Sequence, residues 1–328
     1  MLWESIDAHV ALRLRFQFTS AEHATHWLMQ TVAHTYALSV EAVDRLVISS
    51  SNLLAWLSTP NGPHIAKCCA LASAHDWLSN VADLLVWLEQ CHVPVSVPLP
   101  TPTGQRQVRC AHLTLNLQRV ISGQLLDPTH LDQAHTAGII LAQVHAALAA
   151  YPRASDFVTT SPIPPLDPIV REWVEQNGSR PSNPAFDTSS RALQQLQTSL
   201  LPKLAIQLVH GDYRAANILW DTGKISAVLD FEELRWGYRV NDLAWAAVHL
   251  GALFHQWGPV SAEVHATFLG GYEAILQLSG DERVWLPILL TWHSLELARS
   301  ATGGPTYAAC VASVKFYTRL LEDTLSAF

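Results

Sequence analysis

Apolar residues recur at helical spacing in residues 20–38. Ala24, Trp27, Leu28, Val32 and Tyr36 share one side there, and Ser20 stands where a cap belongs. From Arg45 the period shortens. Arg45–Ile48, Leu53–Ser58 and Ile65–Lys67 are brief apolar runs separated by Ser49–Asn52 and Pro60–Pro63, which predicts three strands joined by turns. Helical spacing returns over Ser73–Gln90, with Trp77, Val81, Leu84, Leu85 and Leu88 on one face. Gln107–Leu113 and Leu115–Val120 read as two more strands. Residues 129–149 form a well-patterned helix with Thr129 as its expected cap; His145 borders its apolar face and reads as a packed core histidine. Prolines break up residues 151–190, leaving room for one helix at Ile169–Gln176, and a further helix is expected at Ser190–Leu204. Beyond Ala244, helices are expected at Trp245–Phe254, Val260–Gln277, Asp281–Ser300 and Tyr307–Phe328.

Composition narrows the field. The 328 residues suffice for a substantial core in two lobes, and 20 Lys+Arg against 28 Asp+Glu give a formal charge of −8. That balance argues against a nucleic-acid partner. The five cysteines are an odd set without a C-x-x-C pair, which points to a reducing compartment and away from a zinc site. The N-terminus lacks the basic start and continuous apolar core of a signal peptide. No apolar run approaches the roughly 18–20 residues that span a bilayer. A soluble, cytoplasmic protein, monomer or homodimer, is expected. The 12 Trp are scattered and read as core packing.

The chemistry is concentrated in Leu208–Ala244. An apolar run ends in His210-Gly211-Asp212, and Asn217 follows five residues after Asp212. Two short strands turning at Thr222-Gly223 then deliver Asp230-Phe231-Glu232, so Asp212, Asn217 and Asp230 are expected at one end of a hairpin. A carboxylate at the end of a tight loop can orient a hydroxyl and accept its proton. An Asn carbonyl and a second carboxylate are hard oxygen ligands suited to Mg²⁺ that also holds a nucleotide's phosphates.

The series H-G-D-x-x-x-x-N, apolar strand, D-F-E resembles the catalytic loop and metal-binding segment of the aminoglycoside phosphotransferase/choline kinase-like small-molecule kinases. It has the same parts, in the same order, as the corresponding protein-kinase segments. The segment Tyr238–Ala244, ending in D-L-A, resembles the same family. The resemblance implies an α+β, bilobal protein-kinase-like fold. A small N-terminal lobe with an antiparallel sheet and a helix (residues 1–121) would bind nucleotide. A larger, mainly helical C-terminal lobe (residues 122–328) would carry catalysis and the acceptor.

The resemblance also assigns roles. Asp212 would be the catalytic base, and Asn217 and Asp230 the Mg²⁺ ligands. Lys67 would hold the ATP phosphates beneath the turn Ser50-Ser51-Asn52, and backbone groups around Gln118 and Val120 would meet the adenine at the hinge. The family's helix glutamate, partner of the lysine, falls opposite Val81 here; Asp83 is the first substitute and Asp76 the second. Arg214 would hold a phosphate oxygen or a substrate carboxylate, and Glu232 would add a metal contact or face the acceptor. His210 and Asp242 read as loop scaffolding. The expected activity is ATP-dependent O-phosphorylation of a small molecule that is aminoglycoside-, choline-, sugar- or homoserine-like. Two rivals stand beside it: a catalytically degenerate kinase fold that binds nucleotide or a partner, and a metal hydrolase. The latter lacks the clustered histidines such sites need.

Overall fold

The computed structural model describes residues 6–157, 163–178, 204–253, 259–300 and 304–326. The helix expected at Ser190–Leu204 lies, but for its last residue, outside them. The chain forms two compact units, Met1–Gly123 and Gln124–Phe328. No helix among the described residues is long and apolar enough to cross a membrane.

The first unit is built on a five-stranded antiparallel sheet. Its strands are β1 (Ala42–Ile48), β2 (Asn52–Ser58), β3 (His64–Cys69), β4 (Val108–Cys110) and β5 (Leu113–Arg119), in the order β1-β2-β3-β5-β4. Alternation sorts the side chains. Leu53, Ala55, Leu57, Ala66, Cys68, Leu115 and Leu117 form one apolar face, packed with Leu12, Phe16, Leu28 and Val32 of helices α1 (Ala8–Phe16) and α2 (Ala21–Tyr36). Lys67 therefore belongs to the opposite face, opposite Leu54 on one side and Asn116 on the other. That face carries a run of polar contacts in which Ser96 donates to Gln118, Gln118 to Asn116, Asn116 to Gln107 and Gln107 to Thr114. Helix α1 is absent from the reading of the sequence. It is capped by Asp7, whose carboxylate accepts from the backbone of His9 and Val10, and it buries only Ala11, Leu12 and Phe16, too few to stand out as a stripe. Helix α3 (His75–Gln90) begins after a 3₁₀ turn at Ala72–Ala74, two residues later than expected.

In the second unit, β6 (Gln124–Leu125) leads to helix α4 (Leu131–Ala149). Thr129 does not cap α4. Its backbone and hydroxyl both donate to Asp127, and the residue at the N-cap is His130, which makes no side-chain cap hydrogen bond. Helix α5 (Leu166–Gly178) contains the segment expected at 169–176. Strand β7 (Ile206–Val209) pairs with β10 (Arg235–Tyr238), while β8 (Ile218–Asp221) pairs with β9 (Lys224–Val228) and β6. The remaining helices among the described residues are α6 (Arg239–His249), α7 (Ala262–Glu273), α8 (Gly280–Ser300) and α9 (Gly304–Ser326). Helix α6 starts six residues before the expected Trp245, so Asp242 lies in its first turn rather than in a preceding loop. Its start is fastened to α8 by a buried ion pair between Arg239 and Glu282.

Helices α4 and α7 meet backbone to backbone. A Cβ at Gly138 would strike the Phe268 carbonyl oxygen, and one at Gly271 the His135 carbonyl oxygen. Rigid backbone lies on both sides of each contact, so neither can yield locally. Gly138→Ala should lower the unfolding free energy of the chain by about 2–3 kcal/mol in urea titrations. Gly270→Ala, in the same helix as Gly271 but with nothing within 4 Å, should be neutral or stabilising by up to about 1 kcal/mol. Equal effects from the two variants would contradict the close approach.

Candidate active site

The loop after β7 is shaped by one glycine. Gly211 has φ +83°, a left-handed conformation that L side chains rarely adopt, and a Cβ there would also meet the Glu233 carbonyl and the Arg235 guanidinium. The chain reverses at this point, and Asp212 follows.

Both carboxylate oxygens of Asp212 are held. Oδ1 accepts from Arg214 Nε at 2.9 Å, and Oδ2 accepts from Asn217 Nδ2 at 2.8 Å. The same amide nitrogen also donates to the Asp212 carbonyl at 2.9 Å. Burial pushes the Asp212 carboxyl up from its ordinary value. The Arg214 charge and the hydrogen bonds from Arg214 and Asn217 pull the other way, the Asp230 charge adds to the rise, and the net shift is upward. Arg214 is thus committed to Asp212, with only 4 % of its side chain exposed.

The second loop is joined to the first through the backbone of a single residue, Leu229. The Leu229 N–H donates to the Asn217 carbonyl at 2.8 Å, and the Leu229 carbonyl accepts from His210 Nε2 at 3.1 Å. His210 Nδ1 accepts from the Asp212 N–H at 3.1 Å. These partners assign His210 as the neutral Nε2–H tautomer, and burial lowers its pKa in agreement. The Phe231 ring packs on His210 at 4.5 Å between centroids. Asp230, the next residue after Leu229, takes a left-handed conformation (φ 62°, ψ 60°) and opens the 3₁₀ turn Phe231–Glu233. Both it and Glu232 are half-buried. His210 is therefore a bridge between the loops.

Asp242 is 2 % exposed and holds the loop from beneath, accepting from Gly211 N–H at 2.9 Å through Oδ1. Its other oxygen is 3.0 Å from His145 Nε2. Burial alone would raise its pKa, but the His145 hydrogen bond and charge, with His210 and Arg235, outweigh burial and hold it below the ordinary value. Tyr213 is fully buried and donates its hydroxyl to the Ala137 carbonyl at 2.8 Å. Tyr213 was not singled out from the sequence; His145, read as a packed core histidine, is fully buried and also bonded to Asp242. The signal available was a polar group on an apolar helix face in α4 and an aromatic inside the loop.

In the first unit, the expected nucleotide contacts are partly engaged elsewhere. The turn between β1 and β2 is tighter than anticipated. Ser49 N–H donates to the Asn52 carbonyl, and Asn52 is a buried strand residue, which leaves Ser50 and Ser51 as the loop. The Val120 N–H, expected to be available to a base, donates to the Pro63 carbonyl at 3.1 Å. The Gln118 side chain bonds Ser96 and Asn116, whereas the contact expected there is a backbone one. Asp76 pairs with Arg109 at 2.9 Å, and Asp83, half-buried in α3, remains the helix carboxylate to consider for Lys67.

The family model of the phosphotransferase enzyme family, APH, matches residues 45–284. The chain belongs to this family. The match runs from β1 into α8 and leaves α1, α2 and α9 outside it. The chain is 25 % identical over 250 residues to a homoserine kinase of Neisseria meningitidis serogroup B, covering 73 % of this chain and 75 % of that one. Its fold is similar to that of a microcompartment-associated aminopropanol kinase, with a TM-score of 0.59, 19 % identity and coverage of 92 % and 97 %. It is also similar to an amicoumacin kinase in complex with AMP-PNP, Ca²⁺ and Ami, with a TM-score of 0.59, 15 % identity and coverage of 91 % and 93 %. The chain is thus a phosphotransferase with the kinase-like α+β fold.

The folded-state pKa of Asp242 lies below its ordinary value of 3.8. Its stabilising contribution is therefore complete above the unfolded-state pKa and is lost as pH falls through the folded-state value. Unfolding free energy measured from about pH 5 downward should drop for the wild type and drop less steeply for Asp242→Asn. Parallel curves would contradict the assignment.

Proposed function

We propose that this phosphotransferase moves the γ-phosphate of Mg·ATP to a hydroxyl of a small molecule. The observation that carries the reading is the double hold on Asp212, with Arg214 on one oxygen and Asn217 on the other. A carboxylate so fixed keeps a lone pair on each oxygen for an incoming hydroxyl, and its upward-shifted pKa makes it a better proton acceptor than an ordinary aspartate.

The donor set fits a magnesium ion. Asn217 gives its amide nitrogen to Asp212, which leaves Oδ1, a hard oxygen, as its ligating atom, and Asp230 supplies a carboxylate. Among the described residues no three His, Cys, Asp or Glu converge on a metal site. A cation here would take Asn217 and Asp230 and complete its shell with phosphate oxygens and water. When bound, it would neutralise charge developing on the transferred group. Asp212 orients the acceptor hydroxyl and takes its proton. Arg214, turned onto Asp212, fixes that carboxylate. His210 and Asp242 hold the two loops in place.

Nucleotide recognition is assigned to the first unit, with Lys67 for the phosphates, Ser50 and Ser51 in the turn above them and Asp83 as the carboxylate for Lys67. The second unit takes the acceptor. The curated relative's activity makes homoserine the first acceptor to test, followed by 1-amino-2-propanol, choline, aminoglycosides and free sugars.

Asp212→Asn should cut turnover by about two to four orders of magnitude while leaving Mg·ATP affinity within a few-fold of wild type. Asp230→Asn should instead weaken Mg·ATP binding and raise the magnesium requirement. Coupled ADP-release kinetics and nucleotide titrations with and without Mg²⁺ separate the two. Wild-type turnover in Asp212→Asn would overturn the base assignment.

A further inference from the structure

The catalytic loop is tied into the helices by a chain of buried side chains that reaches well past Asp242. His145 Nε2 faces Asp242 at 3.0 Å, and His145 Nδ1 faces the Tyr272 hydroxyl at 2.8 Å. His145 and Tyr272 are both fully buried. Burial pushes the Tyr272 phenol far up, so it keeps its proton and its O–H is available to donate. The Asp242 carboxylate, 3.0 Å from Nε2, can only accept, so the neutral imidazole carries its proton on Nε2 and its Nδ1 accepts from the Tyr272 hydroxyl. Asp242 then accepts from His145 on one oxygen and from Gly211 N–H on the other.

The placement of Tyr272 follows from the glycine contact between α4 and α7. Gly138 lies two turns before His145 on the same face of α4, and a Cβ there would crowd the Tyr272 nitrogen at 2.8 Å as well as Phe268. Only with the two backbones this close does the tyrosine oxygen reach the imidazole. The His145 carbonyl is fixed in turn by Gln207 Nε2, at 2.8 Å, from the strand that leads into the catalytic loop. With the opposite tautomer, lone pairs of Nε2 and the Asp242 carboxylate would face each other across 3.0 Å, and the carboxylate would have to turn or pick up a proton.

We propose that His145 and Tyr272 are positioning residues for phosphoryl transfer. Tyr272 fixes the tautomer of His145, His145 orients the Asp242 carboxylate, and Asp242 holds Gly211 in the conformation that presents Asp212. This rests on the reading of Asp212 as the base.

Two kinds of measurement on the full chain test it. Tyr272→Phe deletes one oxygen; it should lower kcat about tenfold and leave the KM for ATP within about twofold. His145→Leu should lower kcat about a hundredfold, and His145→Gln, which keeps an N–H near the former Nε2, should recover most of that loss. Turnover is read as ADP release from Mg·ATP, with homoserine and then water as the probe acceptor. In parallel, long-range ¹H–¹⁵N correlation on histidine-labelled protein should show His145 as the Nε2–H tautomer in wild type, with that signature lost in Tyr272→Phe. The Gly211 amide proton should shift in the same variant.

A wild-type His145 protonated on Nδ1 alone, or a Gly211 amide unmoved by Tyr272→Phe, overturns the relay. So does a Tyr272→Phe enzyme with wild-type kcat, whether or not His145→Leu folds. The spectroscopic arm does not depend on turnover. A wild-type chain that releases no ADP with any acceptor would remove the kinase reading, and the relay would stand or fall on the imidazole and amide signals.

Discussion

The backbone of Leu229 is the point on which the site depends. Its N–H is taken by the Asn217 carbonyl and its carbonyl by His210 Nε2, so the two peptide planes flanking its Cα tie the loop that carries Asp212 to the loop that carries Asp230. Free loops of this length would sample many conformations, and ordering each residue costs about 1–2 kcal/mol. Two hydrogen bonds to the backbone of one residue restrict that freedom on both sides of its Cα. The position of Asp230 follows in part from this anchoring of its neighbour in sequence. Asp212 is set from three directions: Arg214 and Asn217 on its oxygens and His210 on its backbone.

Beneath this junction the second unit supplies support of a different kind. The left-handed turn at Gly211 is held by a buried carboxylate that is itself held by buried groups. Such a network is stable only when every member is satisfied, because an unpaired polar group in this environment costs about 1–3 kcal/mol. That requirement links the loop to the packing of α4 against α7, where two glycines permit an approach no other residue would allow. Tyr213 adds a second tie from the loop to α4. Catalytic geometry and helix packing are in this sense one problem.

Much of this was legible in the sequence. Asp212, Asn217 and Asp230 lie within one short stretch, so their convergence follows from two strands and a turn, and the D-L-A segment marked Asp242. What could not be read were the long-range partners. His145 and Tyr272 are 127 positions apart, and a histidine beside an apolar helix face looks like core packing in any single sequence. Gly138 and Gly271 show only as weak points in helices until the opposing carbonyls are seen. The start of α6 was misplaced because Arg239–Ala244 reads as a motif, although the same residues form the first turns of a helix. The Val120 N–H illustrates a further limit: a backbone donor carries no trace in the sequence of whether a neighbouring carbonyl already claims it.

The account's central claim is that one Asn and one Asp form a cation site while the adjacent Asp stays free for the acceptor. A crystal structure of the chain with AMP-PNP and Mg²⁺ tests this directly. Asn217 Oδ1 and the Asp230 carboxylate should ligate the ion at about 2.0–2.1 Å, with Asp212 outside its coordination sphere and still bonded to Arg214 and Asn217. An ion bound by Asp212, or bound without both Asn217 and Asp230, would contradict it.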